Sequence, residues 1–284
     1  MMRALLLLVV LGGCKQKPQA PPTPMVVEVR VLDRTPPELP ALDPAALTRA
    51  AAKVIGESGL PVVDGGTGAP FKLRVEVRLD GAEEGEKGVM RAFVLAKLTP
   101  VNAPPGALGF EQGGVAERVY EKAKLGDRDA AFRTHAARAV EDVVRGVGAR
   151  AKLARGSTAE LVAALAGSDE DLRDEAMRIS GERKEKEAVA PLITLLKNDD
   201  PAVRDRAIGA LSEIGDGRAV KPLTEVARFR ETAELPKVLD ALASIGGDEA
   251  RSYLEFVASG HDNPEMRELA KQALTHLEAK KPLR

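Results

Sequence analysis

The sequence predicts a multidomain chain. An N-terminal α+β domain, mainly an antiparallel sheet with two helices, is followed by an all-α solenoid. Three observations predict it. Before residue 121, apolar residues alternate with charged ones in several short segments, the period of half-buried strands. Apolar residues at helical spacing follow Pro44 and Asp127, giving that domain its two helices. After residue 157, Leu and Ala recur in columns 31 residues apart, and columns at a fixed period mean stacked repeats.

The 284 residues are 44% hydrophobic and 30% charged, a globular composition with room for about two domains. The 42 basic and 43 acidic residues nearly cancel, so no net basic charge argues for nucleic acid. The chain has no Trp and 3% aromatic residues, which leaves few stacking platforms for bases or sugars. One Cys excludes an intrachain disulfide. Charge is uneven along the chain: 19 basic and 25 acidic residues lie from Ser157 to Arg284, so the repeats are acidic and the remainder basic.

At the N-terminus, Arg3 precedes an apolar stretch, Ala4 to Leu11, and then Gly12-Gly13-Cys14. One positive charge, about eight apolar residues and small residues at the cut make a secretory signal over residues 1–13. The single Cys directly after Leu11-Gly12-Gly13 resembles the lipobox of bacterial lipoproteins. The resemblance implies that the Cys14 thiol is acylated and becomes the first residue of the mature chain. Acyl chains, at about 0.8 kcal/mol per buried methylene, would hold it at a membrane. Lys15 in place of Asp after the Cys points to the outer membrane and its periplasmic side. Residues 14–24 hold Pro18, Pro21, Pro22 and Pro24 and read as an extended tether.

The first domain spans residues 25–153. Val27, Val29 and Val31 alternate with Glu28 and Arg30 in a strand. Asp43 is a helix cap before Pro44, and Leu47, Ala50, Ala51, Val54 and Ile55 form one apolar stripe that ends at Gly59. Leu60 to Val63 reads as a short strand. Phe71 to Asp80 alternates throughout, a charged Gly-containing loop is expected from Gly81 to Gly88, and a second strand follows over Val89 to Leu98. A Gly/Pro-rich loop from Asn102 to Gly114 leads to a strand over Val115 to Tyr120. Asp127 opens a long helix with Phe132, Ala136, Val140, Val143 and Val147 on one face. In element order and placement behind a lipobox, this domain resembles the small α+β domains of envelope-assembly lipoproteins, by topology alone.

Residues 157–280 carry the repeats. Leu161, Leu192, Leu223 and Leu254 form one column, Leu165, Leu196, Ala227 and Ala258 another, and Ala188, Ala219 and Ala250 a third. Ile214-Gly215 aligns with Ile245-Gly246, and Pro191 with Pro222. Leu235-Pro236 takes the place of Val203-Arg204 after one extra loop residue. These units resemble HEAT repeats of the short type also found in phycobilisome lyases. The first unit departs from the pattern, with Arg183 and Lys184 where the others have Ile-Gly. Arg173, Arg204 and Arg267 align, each four or five residues after Asp169, Asp200 or Asp262, which suggests a structural Asp–Arg ladder between repeats.

Motifs for chemistry are lacking. His135, His261 and His276 have no metal-ligand spacing, so no metal or other cofactor is expected. Asp64-Gly65-Gly66-Thr67-Gly68 is followed by a strand and not a helix, so it reads as a turn and not a phosphate loop. The expected function is a membrane-anchored, non-enzymatic, protein-binding scaffold. Its partner is an envelope protein, with no nucleic acid and no small-molecule substrate. The resemblance implies that the second helix of each pair lines the concave side. Their exposed face carries Asp174, Arg178, Arg206, Lys237, Glu268 and Gln272, with Arg178, Arg206 and Lys237 as the candidate partner contacts. Two readings stay open beside it: an accessory enzyme related to bilin lyases, and a passive spacer.

Overall fold

The computed structural model describes residues 24–63, 69–101, 109–229 and 234–279. The signal segment, Cys14, the tether as far as residue 23, the 64–68 glycine cluster and residues 102–108 of the expected 102–114 loop lie outside the described residues, and residues 110–114 of that expected loop are strand instead, paired with Val94 to Leu98. An α+β domain is followed by a helical array, as the periodicities predict.

The first domain runs β1 (Pro24–Asp33), α1 (Pro44–Glu57), β2 (Ala69–Glu84), β3 (Lys87–Pro100), β4 (Phe110–Glu121), α2 (Lys122–Leu125) and α3 (Arg128–Leu153). The strands pair in the order β1-β2-β3-β4. β1 and β2 are parallel, joined through α1, and the other pairs are antiparallel. The expected strand at 60–63 contracts to one bridge, Val62 to Val26. Asp43 caps α1 by accepting from Ala45 N and Ala46 N. The alternating residues Leu73, Val75, Val77 and Leu79 of β2 and Met90, Ala92, Val94, Ala96 and Leu98 of β3 are buried under α1 and α3. The other sheet face carries no helix and is laced by ion pairs, among them Lys72–Glu28 at 2.8 Å and Arg91–Glu117 at 2.6 Å.

The loop expected from Gly81 to Gly88 is instead strand. β2 and β3 stay paired until Glu84 faces Lys87, and only Gly85 and Glu86 turn, with φ 57° at Gly85. The flanking glycines serve packing. A Cβ at Gly81 would lie 2.9 Å from the Phe132 ring, and one at Gly88 would overlap the Tyr120 ring. Tyr120 and Phe132 meet edge to face, 6.3 Å between centroids. At this end of the sheet Glu83 gathers three donors: Tyr120 Oη at 2.9 Å, Arg128 Nε at 3.1 Å and Lys122 Nζ at 2.9 Å. The Lys122, Tyr120 and Arg128 hydrogen bonds hold the Glu83 carboxyl well below the usual carboxylate value, at about 2.

Four helix pairs follow: α4 (Thr158–Leu165) with α5 (Glu170–Glu182), α6 (Val189–Leu195) with α7 (Pro201–Ile214), α8 (Val220–Phe229) with α9 (Leu235–Ile245), and α10 (Asp248–Gly260) with α11 (Pro264–Ala279). The leucine column Leu161, Leu192, Leu223 and Leu254 is fully buried, and so is the alanine column Ala188, Ala219 and Ala250. Asp169 and Asp200 cap α5 and α7 from the turn inside each pair. The turn between pairs needs a left-handed residue, supplied by Gly215 (φ 70°) and Gly246 (φ 80°). In the first unit Lys184 takes that place at φ 54°, the one non-glycine with positive φ among the described residues. Neighbouring hydrogen bonds hold it there: Lys184 N donates to Gly181 O at 2.9 Å and Glu185 N to Ser180 O at 3.0 Å.

Two sequence alignments shift. The buried–exposed pattern of α9 repeats that of α7 at 31 residues, so Leu235 sits opposite Arg204 and no extra residue precedes α9. The arginine column does not form an Asp–Arg ladder between repeats. Arg204 and Arg267 reach back within their own units, to the carbonyls of Asn198 and Asp199 and of His261 and Asp262. Their aspartates do other work, since Asp200 caps α7 and only the backbone carbonyl of Asp262 is used. Arg204 also makes a buried ion pair with Glu234, whose Oε1 accepts from Nε at 2.8 Å, and both side chains are under 8% exposed.

The two domains join through α3. Its first turns pack on the sheet and its C-terminal part packs on α5. Ala154 touches both hydrophobic cores. Asp171 at the start of α5 accepts from Gln112 Nε2 of β4 at 2.8 Å and pairs with Arg150 of α3 at 3.0 Å. Arg183 donates to the carbonyls of Ala154 and Gly156.

Two outcomes follow from these local geometries. Lys184→Gly removes the left-handed penalty of roughly 1–2 kcal/mol and restores part of it as chain entropy. It should therefore stabilise the array by about 0.5–1 kcal/mol, read from the urea midpoint at an unchanged slope. Because the Glu83 carboxyl is held below its unfolded value, its contribution is fully present above about pH 4.5 and is lost as the pH falls toward about 2. Glu83→Gln should therefore flatten the fall in melting temperature across that acid window, and an unchanged acid profile counts against the triple-donor site.

Candidate functional site

The helices α5, α7, α9 and α11 pack against one another in sequence, with α3 completing the row beside α5. The first helices of neighbouring pairs touch much less. The second helices thus form the more continuous layer, the inner face. Each second helix turns a buried stripe to the core and leaves one polar stripe on this inner side. The stripe runs through Glu175, Arg206, Lys237 and Glu268 at one level, and through Arg178, Gly209, Asp240 and Lys271 a turn further on.

The three cations expected to contact a partner are all on this face, and each is already paired within the chain. Arg206 of α7 meets Asp174 of α5 at 2.7 Å. One repeat further, Lys237 of α9 meets Asp205 of α7. The two pairs are the same step repeated, a carboxylate on one second helix and a cation on the next. Arg178 pairs along its own helix with Glu175 and Glu182. Of the other residues placed on this face, Asp174 belongs to the ladder, Glu268 pairs with Lys271 at 3.5 Å, and Gln272 is exposed. Burial pushes the Asp174 carboxyl up, against the downward pull of Arg206 and Arg173.

Between the end of α3 and the first two second helices the inner face deepens into a cavity of about 390 Å³. Arg150 lines it from α3, Asp174 and Arg178 from α5, and Arg206, Gly209 and Glu213 from α7. Its depth comes from Gly209, which stands where the flanking repeats carry Arg178 and Asp240 and has nothing within 4 Å of its missing side chain. Glu213 leans across to α5 at Gly181, where a Cβ would collide with its carboxylate. No sequence signal had singled out Gly209 or Glu213. A mid-helix glycine and a surface glutamate are ordinary until the repeats are superposed.

The histidines serve local structure. His135 Nε2 lies 3.0 Å from the Ala116 carbonyl of β4, and His261 Nδ1 accepts from Asn263 N at 3.1 Å. Among the described residues no group of three or more His, Cys, Asp or Glu side chains is placed to hold a metal, and no helix is long and apolar enough to cross a membrane.

Comparison with known families bears on this array. Residues 158–234 match the HEAT repeats. The match covers α4 to the start of α9, and the helix pairing continues through α11. HEAT repeats suggest a protein-interaction scaffold. No curated protein matches the chain.

Pairing changes what charge reversal would do here. At an unpaired surface, Arg178→Glu, Arg206→Glu and Lys237→Glu together would cost little. On this array each places a like charge beside Glu175, Asp174 or Asp205. With each lost exposed pair and each new repulsion at roughly 0.2–1 kcal/mol, the triple variant should lose about 1–6 kcal/mol by urea unfolding. A variant as stable as the wild type would show that the ladder contributes nothing in solution.

Proposed function

We propose that the protein is a lipid-anchored scaffold of a bacterial envelope, held by an acylated Cys14 and binding an envelope protein through its HEAT array. The observation that carries the binding half is the inner face itself: one polar stripe over four second helices, backed by a continuous buried core. Such a face offers a partner a long, preorganised surface at little ordering cost. The anchoring half rests on the short apolar segment, the small residues and the lone Cys at its end. A Pro-rich stretch of about ten residues then separates the lipid from β1, long enough to hold the sheet domain clear of headgroups. Lys15 after the Cys favours the outer membrane and its periplasmic face. The function needs no metal, cofactor or small-molecule substrate, and no catalytic step. The face is mixed in charge and poor in aromatic side chains, which suits a protein partner better than nucleic acid.

Fractionation and crosslinking test both halves. Cys14→Ser should move the protein from the membrane to the soluble fraction and remove the acyl mass from the N-terminal peptide. Crosslinking the wild type in intact membranes should give adducts on peptides of α5, α7 and α9. Retention of the Ser variant at the membrane counts against the anchor. An absence of adducts on the inner helices would leave the passive spacer as the better description.

A further inference from the structure

The partner's chemistry can be read from which charges on the inner face are already satisfied. This step rests on the scaffold reading and narrows it. Every cation there is in an ion pair with a carboxylate of the chain: Arg150 with Asp171, Arg178 with Glu175 and Glu182, Arg206 with Asp174, Lys237 with Asp205, and Lys271 with Glu268. Two carboxylates of the same face, Glu213 and Asp240, make no ion pair among the described residues. The uncompensated charge among the described residues is therefore negative, and it lies beside a hollow in the face. Glu213 follows Gly209 by one turn of α7, Asp240 takes the matching place to Gly209 on α9, and the cavity of about 390 Å³ opens above Gly209.

We infer that the hollow over Gly209 receives a Lys- or Arg-bearing segment of the partner, its cationic side chains set against Glu213 and Asp240. Charge complementarity selects the sign. A cation entering here finds carboxylates with no ion pair among the described residues, whereas an anionic segment meets cations that would first have to leave their partners. Shape selects the extended form. The floor over Gly209 and Ala210 lacks bulky side chains, so a main chain can lie low enough for alternate side chains to reach the two carboxylates. The roles expected of Arg178, Arg206 and Lys237 are thereby inverted. They are spent on Glu175, Glu182, Asp174 and Asp205 and do not themselves meet the partner.

The test uses the full chain and two labelled decapeptides, one alternating Lys with Ala and one alternating Glu with Ala, followed by fluorescence anisotropy. The lysine peptide should bind, more weakly as salt rises, and the glutamate peptide should not. Gly209→Leu fills the hollow without altering any charge, and its backbone is helical with open space for the side chain. It should weaken lysine-peptide binding at least tenfold while leaving the melting temperature no lower than wild type. Glu213→Gln with Asp240→Asn should weaken it by a similar factor. The inference falls if the lysine peptide does not bind, if the glutamate peptide binds as well, or if Gly209→Leu binds as the wild type does, since that last result would mean diffuse attraction to an acidic surface. Adducts on the inner helices in intact membranes, with no lysine-peptide binding, would keep the scaffold reading and reject the basic segment alone.

Discussion

The rest of the structure depends on α3 being packed twice. Its apolar stripe from Phe132 to Val147 closes the sheet core, and its last turns stack on α5 as though it were the first inner helix of the array. A solenoid exposes an apolar flank at each end unless something covers it. Here the sheet domain supplies the N-terminal cover, and the seam is reinforced by Arg150, Gln112 and Arg183 reaching across it. The connection from Leu153 to Thr158 is short and carries its own cap, Ser157 with Glu160 in a reciprocal box. A domain fused in this way turns with the array, so a tether attached at β1 would orient the inner face and not merely locate it.

The inner face illustrates how pairing alters the meaning of a charged surface. Salt bridges between exposed side chains contribute little stability each. They do decide which charges remain available. Asp174–Arg206 and Asp205–Lys237 repeat one geometric step, so the ladder is a property of the repeat rather than of one site. One turn along α7 from the ladder, at Gly209, the face lacks a side chain and opens into a cavity. Breaks in a periodic surface are where specificity can be built, because the ladder positions beside them are already committed to their neighbours.

Several residues depart from local preference, and each departure has a tertiary cause. Lys184 accepts a left-handed backbone because the chain must turn between the first two pairs where Gly215 turns it between the next two. Gly81 and Gly88 lie inside strands, where glycine is disfavoured, because the rings of Phe132 and Tyr120 occupy the space their side chains would fill. Arg204 is buried, yet its guanidinium is met by Glu234 and two carbonyls, so no charge is left uncompensated.

The sequence by itself determined the fold class, the alternating strands and the four helix pairs. Those depend on periods of two, 3.6 and 31 residues, and a period is a local property that survives without knowing what lies opposite. It also determined the helix starts at Asp43 and Asp127, since a cap needs only its own helix. Tertiary structure alone decided the rest. Gly81 and Gly88 spell a loop until Phe132 and Tyr120 are placed beside them. Leu235 aligned one residue off because Arg204 and Arg267 share a role that α9 does not repeat. Arg178, Arg206 and Lys237 look free in sequence because their partners lie 3 to 32 residues away, and distances between helices are not written in the order of residues. Which charge is spent and which is left over is settled only when charged side chains from different repeats come within about 4 Å of each other, where their attraction reaches about 1 kcal/mol even in water.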